Sequence, residues 1–135
     1  MSCAVFACVR PESETFGQVA VSQVVGIYDG DSITVTIDAW PGVIGQAIGV
    51  RVAGIDTPEI RAQCPQEKKR ALAARLFTRR AVTQANSVTL MNIKRDKYFR
   101  LLADVCVDDR SLGALLVAQG LAVRYQGGKK ISWCP

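Results

Sequence analysis

Ile33, Val35 and Ile37 alternate with Thr34, Thr36 and Asp38. A strict period of two puts every second side chain on the same face, which is the pattern of a half-buried β-strand. The same rhythm surrounds it. Val19, Val21, Val25 and Ile27 share one parity upstream, broken by Gln23, and Ile48, Val50 and Val52 share one downstream, with Arg51 on the opposite face. Asp29-Gly30-Asp31 separates the first run from the second. This is turn chemistry, since glycine accepts positive φ and aspartate tolerates turns. Trp40-Pro41-Gly42 breaks the second run from the third. The first half of the chain must therefore be a sheet, with two turns that gather its strand ends.

After Pro58 the period changes. Leu72, Leu76 and Ala73, Phe77, Ala81 and Ala85 recur at helical spacing, which predicts a helix from about Gln66 to Ala85 with Leu72, Leu76 and Phe77 in the core. Its polar side carries Lys68, Lys69, Arg70, Arg75, Arg79 and Arg80 and reads as a solvated face rather than a dedicated groove. Val88 and Leu90, then Met91 and Ile93, predict a fourth strand, residues 94–100 a charged turn, and Leu101, Ala103, Val105 and Val107 a fifth strand. A short helix follows near Ser111, with Leu112, Leu115 and Leu116 inward and Gly120 at its C′ position. Residues 1–18 show no clear period and read as an arm, while 19–135 form one domain whose tail from Gly127 is irregular. The expected fold is α+β and mainly β: a five-stranded Greek-key barrel of the oligonucleotide-binding (OB) type with two packed helices.

Composition removes whole classes of function. The chain has no histidine, so imidazole zinc sites and every Ser-His or Cys-His dyad are excluded. No apolar run reaches the length of a membrane span. Ser2 to Val9 is apolar but short, and it lacks the basic flank of a signal peptide. The formal charge of +5 favours a polyanionic partner. Five cysteines leave at least one unpaired within a monomer. Cys106 falls in an expected strand as a buried thiol, Cys3 and Cys8 could pair with each other, and Cys64 and Cys134 stand in segments where a disulfide is possible. No CxxC spacing points to zinc.

The chemistry lies in two acidic segments, Asp29-Gly30-Asp31-Ser32 and Ile55-Asp56-Thr57-Pro58-Glu59. Strand, turn, strand, loop, strand brings Asp31, Asp56, Glu59 and Arg51 to one end of the sheet. Two carboxylates about 4 Å apart repel by roughly 4 kcal/mol at an effective dielectric near 20, and a divalent cation reverses that sign. An oxygen-only donor set of Asp31, Asp56 and the Thr57 carbonyl suits Ca²⁺ better than Mg²⁺. Glu59 can hold or deprotonate a water. Arg51 and Arg100 can each offer a forked donor to phosphate oxygens. Taken singly the features have plainer readings. Asp29-Gly30-Asp31 is also an ordinary hairpin turn, Arg51 an outward residue in a surface ion pair, and Tyr98 and Tyr125 packing aromatics.

Four segments in order resemble the staphylococcal nuclease (thermonuclease) family in its compact bacterial branch. They are Ile27 to Ser32, Val50 to Glu59, Asp96-Lys97-Tyr98-Phe99-Arg100 and Gln119-Gly120-Leu121-Ala122. The resemblance covers roughly Val24 to Tyr125. It implies an OB-type barrel and Ca²⁺-dependent cleavage of DNA and RNA by water, leaving 3′-phosphates. It further implies a monomer without membrane attachment. On its terms Asp31, Asp56 and Thr57 hold the metal, Glu59, Arg51 and Arg100 are catalytic, and Asp29 stands behind the metal ligands. Lys97 and Tyr98 contact a terminal phosphate, and Tyr125 falls near the base pocket. Ser32 and Phe99 depart from the usual threonine and glycine, the turn before Asp96 is shorter, and the third C-terminal helix of the type member is absent. The resemblance also suggests a Cys64–Cys134 pair, and with it an oxidising, periplasmic or secreted location rather than a cytoplasmic one. A catalytically silent nucleic-acid-binding barrel is the alternative, but silent domains are expected to lose the ligands or arginines that this chain keeps.

Overall fold

The computed structural model describes residues 7–8 and 15–135. The expected arm over 1–18 lies mostly outside the described residues, as does Cys3. The described chain is α+β and mostly strand. The strands are β1 (Val19–Ala20), β2 (Gln23–Asp29), β3 (Ser32–Thr36), β4 (Ile48–Val52), β5 (Ile55–Asp56), β6 (Val88–Asp96), β7 (Arg100–Val107), β8 (Arg110–Ser111) and β9 (Val123–Arg124). The helices are α1 (Gly42–Gly45), α2 (Pro65–Gln84) and α3 (Leu112–Ala118). Five strands and two helices were expected. The additional elements have two to four residues each, too few for a period to register.

The main sheet runs β1-β6-β7-β4-β3-β2, with β8 added to β7. Its β4–β7 pair is parallel and the others are antiparallel. β1 and β2 lie at opposite ends of this order, yet only Val21 and Ser22 separate them in sequence. Val21 donates its N–H to Val88 and Ser22 to Thr36, one to each side. So short a link requires the sheet to curl until its two edges nearly meet. The curled half-barrel encloses Ile33, Val35, Ile37, Val50, Val52, Leu90, Ala103 and Val105, all almost fully buried.

Two parity readings changed. Val25 is exposed although Ile27, of the same parity, is buried, because the β2–β3 register shifts between Val24 and Gly26. In β6 a second shift between Met91 and Lys94, with Asn92 at φ +52, turns both Leu90 and Ile93 inward. β6 continues to Asp96, so the turn of residues 94–100 shrinks to 97–99.

Helix α2 begins as its sequence suggests, with Pro65 in the first turn and Cys64 as N-cap, whose Sγ accepts from the Glu67 N–H. It does not use the expected face. Leu72 and Leu76 are exposed, and the buried stripe is Ala71, Ala74, Thr78 and Val82, with Phe77, Ala81 and Ala85 packed beside the core. The reason is close approach. At Gly30, whose φ is not left-handed, a Cβ would lie 2.8 Å from the Ala74 Cβ. Glycine here serves helix contact rather than turn geometry, and the helix side that fits against it is its small-residue side. Thr78 seals the contact, its hydroxyl donating to the Gly30 carbonyl at 2.6 Å.

The cysteines also differ from expectation. Cys106 is not a free buried thiol, because it is bonded to Cys8, which rules out a Cys3–Cys8 pair. Cys64 is bonded to Cys134, the pair that the resemblance suggests.

Candidate functional site

The β2–β3 turn presents Asp31, and β4 presents Arg51, whose Cα is paired with Ser32 in the β3–β4 register. Asp56 sits on β5, which is held by β9 through the pairs Ile55–Arg124 and Asp56–Val123. Asp31 and Asp56 are both buried, at 5% and 2% exposure. The Arg51 guanidinium reaches both of them, 3.1 Å to Asp31 Oδ2 and 3.5 Å to Asp56 Oδ1, and Nη1 also donates to the Val52 carbonyl at 2.8 Å. Asp31 Oδ2 accepts the Thr57 N–H at 3.1 Å, and its Oδ1 accepts the Ser32 hydroxyl at 3.2 Å. Thr57 is buried against this pair, and its Oγ1 finds no partner among the described residues.

Glu59 leaves this cluster for solvent, its carboxylate half-exposed. The loop under it is fixed by a carboxylate that the sequence reading missed. Buried Glu67 accepts the Glu59 N–H at 3.3 Å and the Gln63 N–H at 2.9 Å. A signal for it exists. A glutamate at the third helical position, three residues past the N-cap Cys64, stands where a capping box places its acid. Asp29 accepts the Ile60 N–H at 2.7 Å. Burial raises the Asp29 pKa, against that hydrogen bond, and the negative charges of Asp31 and Glu59 add to the rise.

Lys130 is the second residue that was missed. Its Nζ lies 3.4 Å from Asp56 and 3.6 Å from Glu59. Burial works against its charge, but Asp56 by attraction and hydrogen bonding, with Glu59, outweighs this and raises its pKa. The tail has no regular structure after β9, and the Cys64–Cys134 bond fastens its end beside α2. Had that pairing been taken as fixed, Lys130, four residues before Cys134, would fall opposite Glu59, five before Cys64. The tail closes a cavity of about 420 Å³ lined by Asp56, Thr57, Glu59, Glu67, Lys130 and Trp133. Trp133 Nε1 is also buried without a partner among the described residues.

A larger neighbouring cavity of about 560 Å³ contains Arg51, Asp96, Lys97, Arg100, Tyr125 and Lys130 in its wall. Arg100 is held through Nε by Asp96 at 2.7 Å, and its stem lies over Gly49, where a Cβ would come within 3.4 Å of it. Tyr125 donates its hydroxyl to the Gly128 carbonyl at 2.7 Å, and Lys130 sits 5.8 Å from its ring centre. Tyr98 does not join this wall, being 85% exposed at the hairpin tip. The backbone at Tyr98 and Phe99 is left-handed, with φ +62 and +53. The conformation that a glycine would adopt easily is thus adopted by Phe99.

The charges that meet at Arg51 and Lys130 do not balance. Asp31, Asp56 and Glu59 face Arg51 and Lys130, three acids against two bases, with Asp29 as a further acid behind. The donors are all oxygens and two of the acids are buried. This arrangement suits a hard divalent cation, and the unpartnered Thr57 Oγ1 beside it gives the same indication.

A family model described as Staphylococcal nuclease homologue matches residues 49–132. A probable endonuclease of Schizosaccharomyces pombe is 34% identical over 97 residues, covering 67% of this chain and 41% of that protein. Protein ParB of Escherichia coli is 31% identical over 113 residues, covering 77% of this chain and 56% of that protein. The chain spans about half the length of these curated relatives.

Proposed function

The chain belongs to the staphylococcal nuclease homologues, and from that premise we propose that it is a Ca²⁺-dependent phosphodiesterase that hydrolyses DNA and RNA to 3′-phosphates. The observation that carries the reading is the convergence of buried Asp31 and Asp56 on one guanidinium, that of Arg51, with the Thr57 N–H bonded to Asp31. Asp31, Asp56 and the Thr57 carbonyl would hold the metal. Bound there, a divalent cation would neutralise the carboxylates and polarise a phosphoryl oxygen.

The chain's own residues account for the rest. Arg51 has five donors and makes three contacts, all through Nη1 and Nη2, with two carboxylates and a carbonyl, so an arriving phosphate can recruit part of the same fork. Asp96 takes Nε of Arg100, and the terminal nitrogens make no hydrogen bond to the described residues, which leaves them for phosphate oxygens. Glu59 reaches into solvent from a loop pinned by Glu67, which suits a base that takes the proton of an attacking water. Water oxygen bonds to phosphorus, the bond to the 5′-oxygen breaks, and that oxygen leaves protonated by solvent. Lys130 orients Glu59 and shields Asp56. The two disulfides fit an oxidising compartment, so the proposal extends to a periplasmic or secreted protein.

The test is incubation of plasmid DNA and single-stranded RNA with the protein in Ca²⁺, in Mg²⁺ and in excess chelator, with end-labelled products. Cleavage of both with Ca²⁺ and none in chelator is expected. Glu59→Ala should lower turnover by about 10²- to 10⁴-fold while leaving binding. Retarded but intact nucleic acid in every lane, or wild-type turnover by Glu59→Ala, would overturn the reading.

A further inference from the structure

The tip of the β6–β7 hairpin carries two aromatic side chains that the fold does not use. Tyr98 is 85% exposed and Phe99 is 73% exposed. Both hold left-handed backbone, a conformation that costs an L-residue about 1–2 kcal/mol and a glycine nothing. Neither belongs to the buried core. Phe99 therefore costs conformational strain and exposes an apolar ring to water, with no packing in return.

The surroundings supply a reason. Lys94, Arg95 and Lys97 on the same hairpin are exposed, while Asp96 is taken by Arg100. Lys97 lies 5.7 Å from the Tyr98 ring centre, and Arg95 lies 5.4 Å from that of Phe16, which is itself 68% exposed. Phe16 is tied to the hairpin by its N–H to the Ile93 carbonyl at 2.8 Å. Cations interleaved with solvent-facing rings are the chemistry that follows a phosphate backbone while bases stack. Lys97 and Arg100 also border the larger cavity, so the tip adjoins the wall where a phosphate would sit.

We infer that Phe99, with Tyr98, is a stacking platform for an unpaired base flanking the bound phosphate. This rests on the nuclease reading and adds a base-binding position to it. A base within a duplex is already stacked on its neighbours and cannot place a face on the ring without being unstacked first.

Phe99→Gly is the informative variant, because glycine suits the left-handed φ and the fold should be at least as stable. Its melting temperature should equal or exceed that of wild type. Binding is measured in chelator, so that nothing is cut, with a single-stranded DNA oligonucleotide carrying 2-aminopurine and with the matching duplex. Wild type should quench the 2-aminopurine on binding. Phe99→Gly should lose that quench and bind the single strand about five- to a hundredfold more weakly, with a much smaller change for the duplex. Val43→Ala removes an equally exposed apolar side chain on α1 and should move neither affinity. The inference is overturned if Phe99→Gly binds the single strand as tightly as wild type, if it lowers the melting temperature, or if Val43→Ala weakens binding as much. Failure of wild type to bind either form in chelator would overturn the platform, while the nuclease reading stands or falls on cleavage in Ca²⁺, which separates the two.

Discussion

Gly30→Ala tests the contact on which the acidic site is built. The added Cβ would stand 2.8 Å from the Ala74 Cβ, 3.1 Å from its carbonyl carbon and 3.2 Å from its oxygen. The neighbours are helix backbone and a buried methyl, so neither can rotate away, and α2 must shift from the β2–β3 turn. No backbone strain contributes, because Gly30 is not left-handed. Overpacking of this kind costs about 1–3 kcal/mol, or roughly 3–5 °C of melting temperature per kcal/mol for a domain of this size. Ala74→Gly alone should cost about 2 kcal/mol, from helix propensity and one lost buried methyl. If the changes were independent, the double variant would lose about 3–5 kcal/mol. The structure instead predicts that it recovers about 1–2 kcal/mol of that sum, since the closest contact has gone. Urea unfolding of the four proteins measures the cycle. Asp29 and Asp31 flank the displaced residue, so Gly30→Ala should also reduce the melting-temperature gain on adding Ca²⁺. A Gly30→Ala protein as stable as wild type, or a strictly additive double variant, would refute the close-approach argument.

The other perturbations are simpler to read. Cys64→Ser with Cys134→Ser removes a cross-link between residues 70 apart in sequence; loop-closure entropy predicts a loss of about 4 kcal/mol in urea unfolding. Serine at 64 keeps an N-cap for α2, so a loss under 1 kcal/mol would show that the tail was not constrained by this bond. Asp29→Asn preserves an acceptor for the Ile60 N–H and removes a charge whose pKa is raised in the fold. A raised carboxyl pKa means that ionisation opposes folding, and the penalty is complete above the folded pKa and absent below the ordinary value near 3.8. In chelator the variant should therefore melt higher than wild type at neutral pH, and the gap should close as pH falls toward 3.8. A gap of the same size at both ends would mean that burial of the charge is not its cause.

Much of the site was legible because its residues lie on regular strands and short turns. Alternation placed Ile33, Val35, Ile37, Val50 and Val52 in the core and so fixed which way Arg51 points. The two acidic segments end neighbouring runs, and the curled sheet brings them within reach of Arg51. The residues that were misread belong where period alone is ambiguous. Leu72 and Leu76 have the right spacing for a core stripe, but so do Ala71, Ala74 and Thr78. Which stripe faces inward is decided by Gly30, which is far away in sequence. Val25 lost its parity to a register shift that depends on its partner strand.

By itself the sequence determined the order of the five longer strands and the two longer helices, the donor chemistry of Asp31, Asp56 and Glu59, and the absence of any imidazole. These are local properties, set by period, turn residues and side-chain type. Only the tertiary structure decided that Lys130 pairs with Asp56 and Glu59, that Glu67 pins the loop beneath them, and that Cys106 bonds to Cys8. Each of those depends on a contact across the chain. No local pattern encodes such a contact, because its free energy exists only once the sheet has curled and the tail has been fastened.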